Sequence, residues 1–150
     1  LLEKEQCVLV FPEGVRGSGK TIFNRYKLQR FGTGFIRLAL ETGTPIVPVP
    51  VVGCEEAYPS LMNLKPIAKL FGAPYIPVTP FFPFLGAVGA LPLPTRVTID
   101  FGEPMHFTGD PDAPEAEIEE KAARVRDAIQ GLVDEAVHRR GKRIFSGAKA

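Results

Sequence analysis

At 150 residues and 45% hydrophobic, the chain has the size of one domain at most and enough apolar material for a real core. A formal net charge of +1 gives no global attraction to nucleic acid or any other polyanion. Two cysteines, Cys7 and Cys54, with no C-x-x-C and no histidine at ligand spacing, argue against a disulfide framework and a zinc site. Both are expected as small buried thiols in a reducing compartment. The opening "LLEKEQ" has no signal peptide and no initiator Met and reads as a last helical turn with a short connection, so the chain is expected to begin inside a domain.

The first predicted element is a strand, "CVLVFP" at 7–12, a short apolar and β-branched run closed by Pro12. A loop from Glu13 to Lys20 follows, and then a stretch with no clean period. Thr33 stands as N-cap to a helix "GFIRLALET" that closes at Gly43. "PIVPVPVV" predicts a second strand, Ile46 to Val52. Strand, helix and strand together predict a βαβ unit with a parallel pair and a right-handed crossover. Pro48 and Pro50, two residues apart, remove amide donors on one side of that strand, which puts it at an edge or beside a loop.

Residues 71–95, "FGAPYIPVTPFFPFLGAVGALPLPT", carry no charge over 25 residues, yet six prolines exclude a regular membrane-spanning helix. The segment is either a buried irregular loop or an exposed apolar one. In the second case Phe81, Phe82, Phe84 and Leu85 form a tip that dips into a bilayer surface or lines an acyl-chain site. "RVTIDFG" alternates Val97, Ile99 and Phe101 with Thr98 and Asp100 and predicts a third strand. A long helix follows, with Asp112 and Glu115 at capping-box-like spacing, Pro114 in the first turn, and Ile118, Ala122, Val125, Ile129, Leu132 and Ala136 as its apolar stripe. "HRRGKR" places cations at its C-terminal end and Gly141 at its stop. The expected organisation is one domain portion over 1–138 and a basic, disordered tail over 139–150.

Charge is unevenly placed. Between Glu13 and Glu41 there are six basic residues (Arg16, Lys20, Arg25, Lys27, Arg30 and Arg37) and no acid, while acids gather between Glu103 and Glu120. Such a local excess beside a Gly-rich loop predicts an anionic ligand or surface. Phe23, Tyr26 and Phe31 interleave with these cations, as in a base-stacking stripe, but nucleic-acid binding leaves the proline-rich apolar segment without a purpose. "GVRGSGKT", from Gly14, fits the phosphate-loop pattern letter for letter. Its context does not fit: Pro12 and Glu13 separate the strand from the first glycine, a carboxylate stands at the mouth of the supposed phosphate cradle, and no clear helix follows Lys20 and Thr21. "VTID" at 97–100 is too short a Walker-B-like run to restore that reading.

"FPEGVRG" at 11–17, followed by "TGTPIVPVPVVG" at 42–53 with the helix "GTGFIRLALETG" between them, resembles the phospholipid/glycerol acyltransferase family. The similarity extends to "RVTIDFGEPM" and covers roughly residues 5 to 108. The resemblance implies an α/β domain portion with a mixed, largely parallel sheet flanked by helices. It implies transfer of an acyl group from acyl-CoA or an acyl carrier protein to a glycerolipid or lysophospholipid hydroxyl, with the thioester as co-substrate and no metal or other cofactor. Glu13, Gly14, Arg16, Gly17, Ser18 and Lys20 would bind the acceptor side, and Pro48 would shape the wall. Arg16 offers a planar fork of donors for phosphate oxygens, Glu13 can orient that fork or accept an acceptor hydroxyl, and Lys20 and Arg25 extend the cationic field.

Val15 and Gly17 stand where the family often has Thr and Ser, with Ser18 as a substitute hydroxyl, so the acceptor need not carry a phosphate. The family's general base is the His of an H-x-x-x-x-D block. Neither His106 nor His138 fits it, since Pro111 and Arg143 stand at the Asp positions. The base is therefore expected upstream of this chain, with no catalytic residue within it. The resemblance places the protein at the cytoplasmic face of a membrane, with lipid and thioester as partners and no nucleic acid. The alternatives are a non-catalytic lipid-binding module and a phosphate-loop nucleotide-binding protein.

Overall fold

Two helices and one short antiparallel ladder make the core, in a computed structural model that describes residues 1–4, 6–14, 20, 22–57, 62–63, 77–78, 86 and 93–140. The elements are α1 (Gly34–Thr42), β1 (Val51–Val52), α2 (Cys54–Ala57), β2 (Met62–Asn63), β3 (Pro77–Val78), β4 (Thr98–Ile99) and α3 (Glu115–Arg140), with 3-10 turns at Leu2–Lys4 and Ile22–Asn24.

The sequence "FIRLAL" gives α1 one apolar face. Ile36 and Ala39 are buried, and Phe35 and Leu40 pack beside the same core. Gly43 ends the helix in the left-handed conformation, φ +63°, which only glycine adopts at little cost. Thr33 precedes the helix but makes no side-chain cap. Its hydroxyl instead donates to Glu115 Oε1 at 2.9 Å, which joins the start of α1 to the start of α3.

The long helix α3 carries one stripe that serves two clusters. Ile118, Ala122 and Val125 bury against Phe31, Ile36, Phe107 and Ala113, and farther along Val133 and Ala136 close over Val52. Each fully buried aliphatic side chain contributes about 1.5–3 kcal/mol relative to exposure, so this stripe is the main source of cohesion. The expected capping box is not formed. Glu115 accepts bonds from Thr33 and Arg37, and the first helical amides turn back to Pro114 O.

The parallel sheet is corrected by the structure. β1 pairs with β4 in the antiparallel sense, Val51 opposite Ile99 and Val52 opposite Thr98, and β2 pairs with β3 likewise. Residues 7–11 join no strand, so no βαβ crossover is present among the described residues. The prolines explain the form of the main ladder. Pro48 and Pro50 have no amide hydrogen and act only as acceptors, from Gly102 N at 2.8 Å and Asp100 N at 3.3 Å. A reciprocal pair between Ile46 and Met105 closes the ladder, with one extra residue on the 103–104 side, a bulge that contains Pro104.

Alternation along this ladder puts Pro48, Pro50 and Val52 on the buried side. Val47, Val51, Val97, Ile99 and Phe101 lie on the other side, and Phe101 is 75% exposed. The third predicted strand thus keeps its alternation, but turns its apolar residues to the open face. The cysteines are also corrected: Cys7 and Cys54 are both exposed, the first in a run that joins no strand and the second at the head of α2. Most of the proline-rich segment 71–95, including Phe81, Phe82, Phe84 and Leu85, lies outside the described residues. None of the described helices is long and apolar enough to cross a membrane. α3 runs through Arg139 and Arg140, so the first two residues of the expected tail are helical.

Candidate functional site

The Phe-Pro-Glu-Gly turn is held from both sides. Gly14 N donates to Phe11 O at 3.0 Å and closes the turn, and Gly14 itself sits at φ +55° with open space around it. Pro12 O accepts from Gly32 N at 2.9 Å, which anchors the turn to the residues that lead into α1. The Glu13 carboxylate points inward. It accepts the Gln29 amide and pairs with Lys20, whose Nζ lies 3.0 Å from Glu13 Oε2.

Lys20 is the centre of this arrangement. Its side chain is only 7% exposed, and its ammonium also reaches Glu55 Oε1 at 3.3 Å. The second oxygen of Glu55 accepts from Tyr26 N at 2.5 Å, and Tyr26 is the one described non-glycine residue with positive φ, at +65°. Burial pushes the Glu55 carboxyl above the ordinary 4.5, against the opposing pull of Lys20; Glu13 adds to the rise and Arg25 opposes it. A buried ammonium between two carboxylates satisfies the rule that buried charge must be paired.

Next to it lies a second buried pair. Glu56 and Arg140 face each other at 2.6 Å, each with a side chain 6% exposed, and the Tyr26 hydroxyl donates to Glu56. Gly53, between β1 and α2, makes this approach possible. A Cβ at Gly53 would stand 2.8 Å from Arg140 Nη1 and closer still to Arg96 O, and its φ is +112°. Gln130 of α3 stitches the segment down, accepting from Leu28 N at 2.9 Å and donating to Tyr26 O at 2.8 Å.

The basic run finds acids inside the chain. Arg30 pairs with Glu119; Arg37 pairs with Glu115 at 2.7 Å and donates to Pro111 O at 2.5 Å. Together with Lys20, these residues meet the acidic segment that begins α3 and the Glu55 of α2. Part of the cationic excess is therefore internal docking charge. Arg25 stacks its guanidinium over the Tyr26 ring at 5.5 Å, and Lys27 is exposed.

Of the residues expected to bind the acceptor, Glu13, Gly14 and Lys20 come together at this turn. Pro48 is fully buried in the ladder, where Gly102 lets Pro48 and Leu132 approach. Arg16, Gly17 and Ser18 lie outside the described residues. His106 and His138 are exposed. The Lys20 ammonium is engaged by two carboxylates rather than free for a nucleotide phosphate, and the described residues Ile22–Asn24 form a 3-10 turn rather than the helix a phosphate loop requires. Among the described residues no group of His, Cys, Asp or Glu can hold a metal ion. Glu55 was not signalled by any motif, and Tyr26 only as an aromatic interleaved with the basic run; the sequence hint of Glu55 is an acidic pair after an apolar strand.

Residues 1–52 match the family model described as Acyltransferase. An uncharacterized protein of Mycobacterium bovis and one of Mycobacterium tuberculosis are each 47% identical to the chain over 135 residues, covering 87% of this chain and 37% of theirs. An uncharacterized protein of Mycobacterium leprae is 47% identical over the same length, with 36% of it covered. The chain thus spans little more than a third of the curated relatives it matches. No solved structure matches it. It is over residues 1–52, which contain the Phe-Pro-Glu-Gly turn, Lys20, α1 and β1, that the chain is similar to the Acyltransferase family.

Proposed function

We propose that the chain forms the acceptor side of an O-acyltransferase site, at which a fatty acyl group passes from acyl-CoA or an acyl carrier protein to a hydroxyl of a glycerolipid or lysophospholipid. The observation that carries this reading is the family match over the segment in which Glu13, Gly14 and Lys20 are brought together. In the reaction the acceptor oxygen attacks the thioester carbonyl, the new C–O bond forms, the C–S bond breaks, and the thiol leaves. The proton goes to a His oriented by an Asp, and both come from sequence outside these 150 residues.

The Glu13 carboxylate has about four lone-pair sites. Gln29 N and the Lys20 ammonium fill most of them, which leaves room for one further donor. That donor is the Arg16 guanidinium or the acceptor hydroxyl. Arg16 then holds the head group by charge-assisted bonds, with Gly17 and Ser18 as close backbone and hydroxyl contacts. Phe11, next to the turn, is 74% exposed and fits peripheral contact with the cytoplasmic face of a membrane.

Arg16→Ala in the full-length protein tests the assignment. Loss of charge-assisted bonds worth about 1.5–3 kcal/mol raises the acceptor KM roughly 10- to 150-fold and changes kcat less. An unchanged acceptor dependence removes Arg16 from the site. Binding to lysophospholipid vesicles with no transfer from any thioester favours a lipid-binding module instead.

A further inference from the structure

The Phe-Pro-Glu-Gly turn rests on the segment 26–32, two of whose amides hold it: Gln29 N donates to Glu13 Oε1, and Gly32 N donates to Pro12 O at 2.9 Å. The far end of that segment is fixed by packing, since Phe31 is buried in the core. The near end, residues 26–28, joins no strand, so its backbone polar groups need other partners. Gln130 of α3 supplies them. Its Nε2 donates to Tyr26 O at 2.8 Å, and its Oε1 accepts from Leu28 N at 2.9 Å. One side-chain amide thus does what a neighbouring strand would do for alternate residues. The second Nε2 hydrogen goes to Asp134 Oδ1 at 3.0 Å, so all three bonds agree on which end of the amide is nitrogen.

We propose, resting on the acceptor-site reading above, that Gln130 is a positioning residue: by fixing residues 26–28 it places the Gln29 amide, and through that amide it sets the direction in which the Glu13 carboxylate faces the acceptor. The other ties on Glu13 do different things. The bond from Gly32 N to Pro12 O holds the backbone of the turn and leaves the Glu13 side chain free to rotate. Lys20 reaches both carboxylate oxygens, at 3.1 and 3.0 Å, with an ammonium whose three donors rotate, so it supplies charge with little demand on direction. Gln29 N is a backbone donor with a fixed direction, and it takes Oε1 alone. Oε2, met only by Lys20 among the described residues, keeps a lone pair for the acceptor. Glu55 takes the Tyr26 amide, whereas Gln130 takes the amide of Leu28, the one that precedes Gln29 in the chain.

The test uses the full-length protein with Gln130→Met, Glu13→Ala and the double variant. Methionine keeps the length and apolar stem of Gln130 and removes both hydrogen-bonding ends. The expected result for Gln130→Met is an acceptor KM raised about fivefold, with kcat within about twofold and the melting temperature lowered by only a few degrees. Amide exchange at residues 28 and 29 becomes several-fold faster. In the Glu13→Ala background, Gln130→Met has no further effect on KM. A KM unmoved by Gln130→Met while Glu13→Ala raises it overturns the proposal and leaves the acceptor site standing. Additive effects in the double variant overturn the route through Glu13. A fall in kcat as large as the rise in KM, with the melting temperature down by more than about 10 °C, makes Gln130 a structural support only and also overturns it. If neither variant moves KM, the acceptor reading falls, and the hold of Gln130 on the Gln29 amide is decided by the exchange data. Faster exchange at 28 and 29 supports it; unchanged exchange refutes it.

Discussion

Gly53→Ala should be among the most damaging single-methyl additions in this chain. The new Cβ would stand 2.8 Å from Arg140 Nη1 and 3.1 Å from the carbonyl carbon of Arg96, with the carbonyl oxygen nearer still. Backbone cannot swing away as a flexible side chain can, and φ +112° is itself a region that costs a non-glycine residue about 1–3 kcal/mol. Relieving the overlap pushes the strand end at Arg96 from Gly53, stretches the 3.1 Å bond from Thr95 Oγ1 to Gly53 O, and parts the Glu56–Arg140 pair. Strain and clash together cost about 3–5 kcal/mol, within the large-effect class for single substitutions. At about 2–4 °C per kcal/mol for a chain of this size, the melting temperature falls by roughly 6–20 °C. Gly131→Ala is the control. Gly131 lies in α3 with nothing within 4 Å of its absent Cβ, and alanine there should stabilise the helix by about 1 kcal/mol. Thermal and urea unfolding of both variants check the pair. A Gly53→Ala protein that melts within about 2 °C of the parent would refute the close approach at Arg96.

Lys20→Met leaves Glu13 and Glu55 facing each other without a cation, and should cost about 2–4 kcal/mol at neutral pH, since one partner of a buried ionic cluster is removed. The Glu55 carboxyl, already raised above 4.5 by burial, then also loses the opposing pull of Lys20, so the variant is relatively more stable below about 4.5 and loses stability as pH rises through the raised value; denaturation at pH 4.5 and pH 7 should show the deficit growing with pH. Glu115 behaves oppositely: hydrogen bonds from Arg37 and then Thr33 hold its carboxyl below 4.5, so its contribution is present above 4.5 and lost as pH falls through the lowered value. In Arg37→Ala a carboxylate titration by NMR should find Glu115 moved back up toward 4.5, and an unmoved value would contradict the pairing.

The parts of this fold that were legible in the sequence are those set by local chemistry. "GFIRLALET" followed by glycine became α1 with Gly43 in the left-handed conformation, and the four-three spacing from Ile118 to Ala136 became the buried stripe of α3. Pairing was not legible. "CVLVFP" reads as a buried strand because its residues suit a pleated, covered surface, but composition does not name the partner, and residues 7–11 remain unpaired among those described. Likewise Pro48 and Pro50 signalled a half-ladder, yet not that residues 100 and 102 would supply its donors from the antiparallel direction. Thr33 and Asp112 sat at cap positions, but tertiary partners took precedence: Thr33 turned to Glu115, and Asp112 N donates to Asp110 Oδ1. At the site, the motif named Glu13, Gly14 and Lys20. Glu55 lay beyond any motif, because its role depends on a contact that only the folded chain creates.

The most direct measurement is thiol release from acyl-CoA, and from an acyl carrier protein, by the full-length protein with and without a lysophospholipid acceptor. The account predicts release that depends on acceptor and saturates with it, with the acyl group recovered as an ester. No acceptor-dependent release from either thioester would contradict the acyltransferase reading.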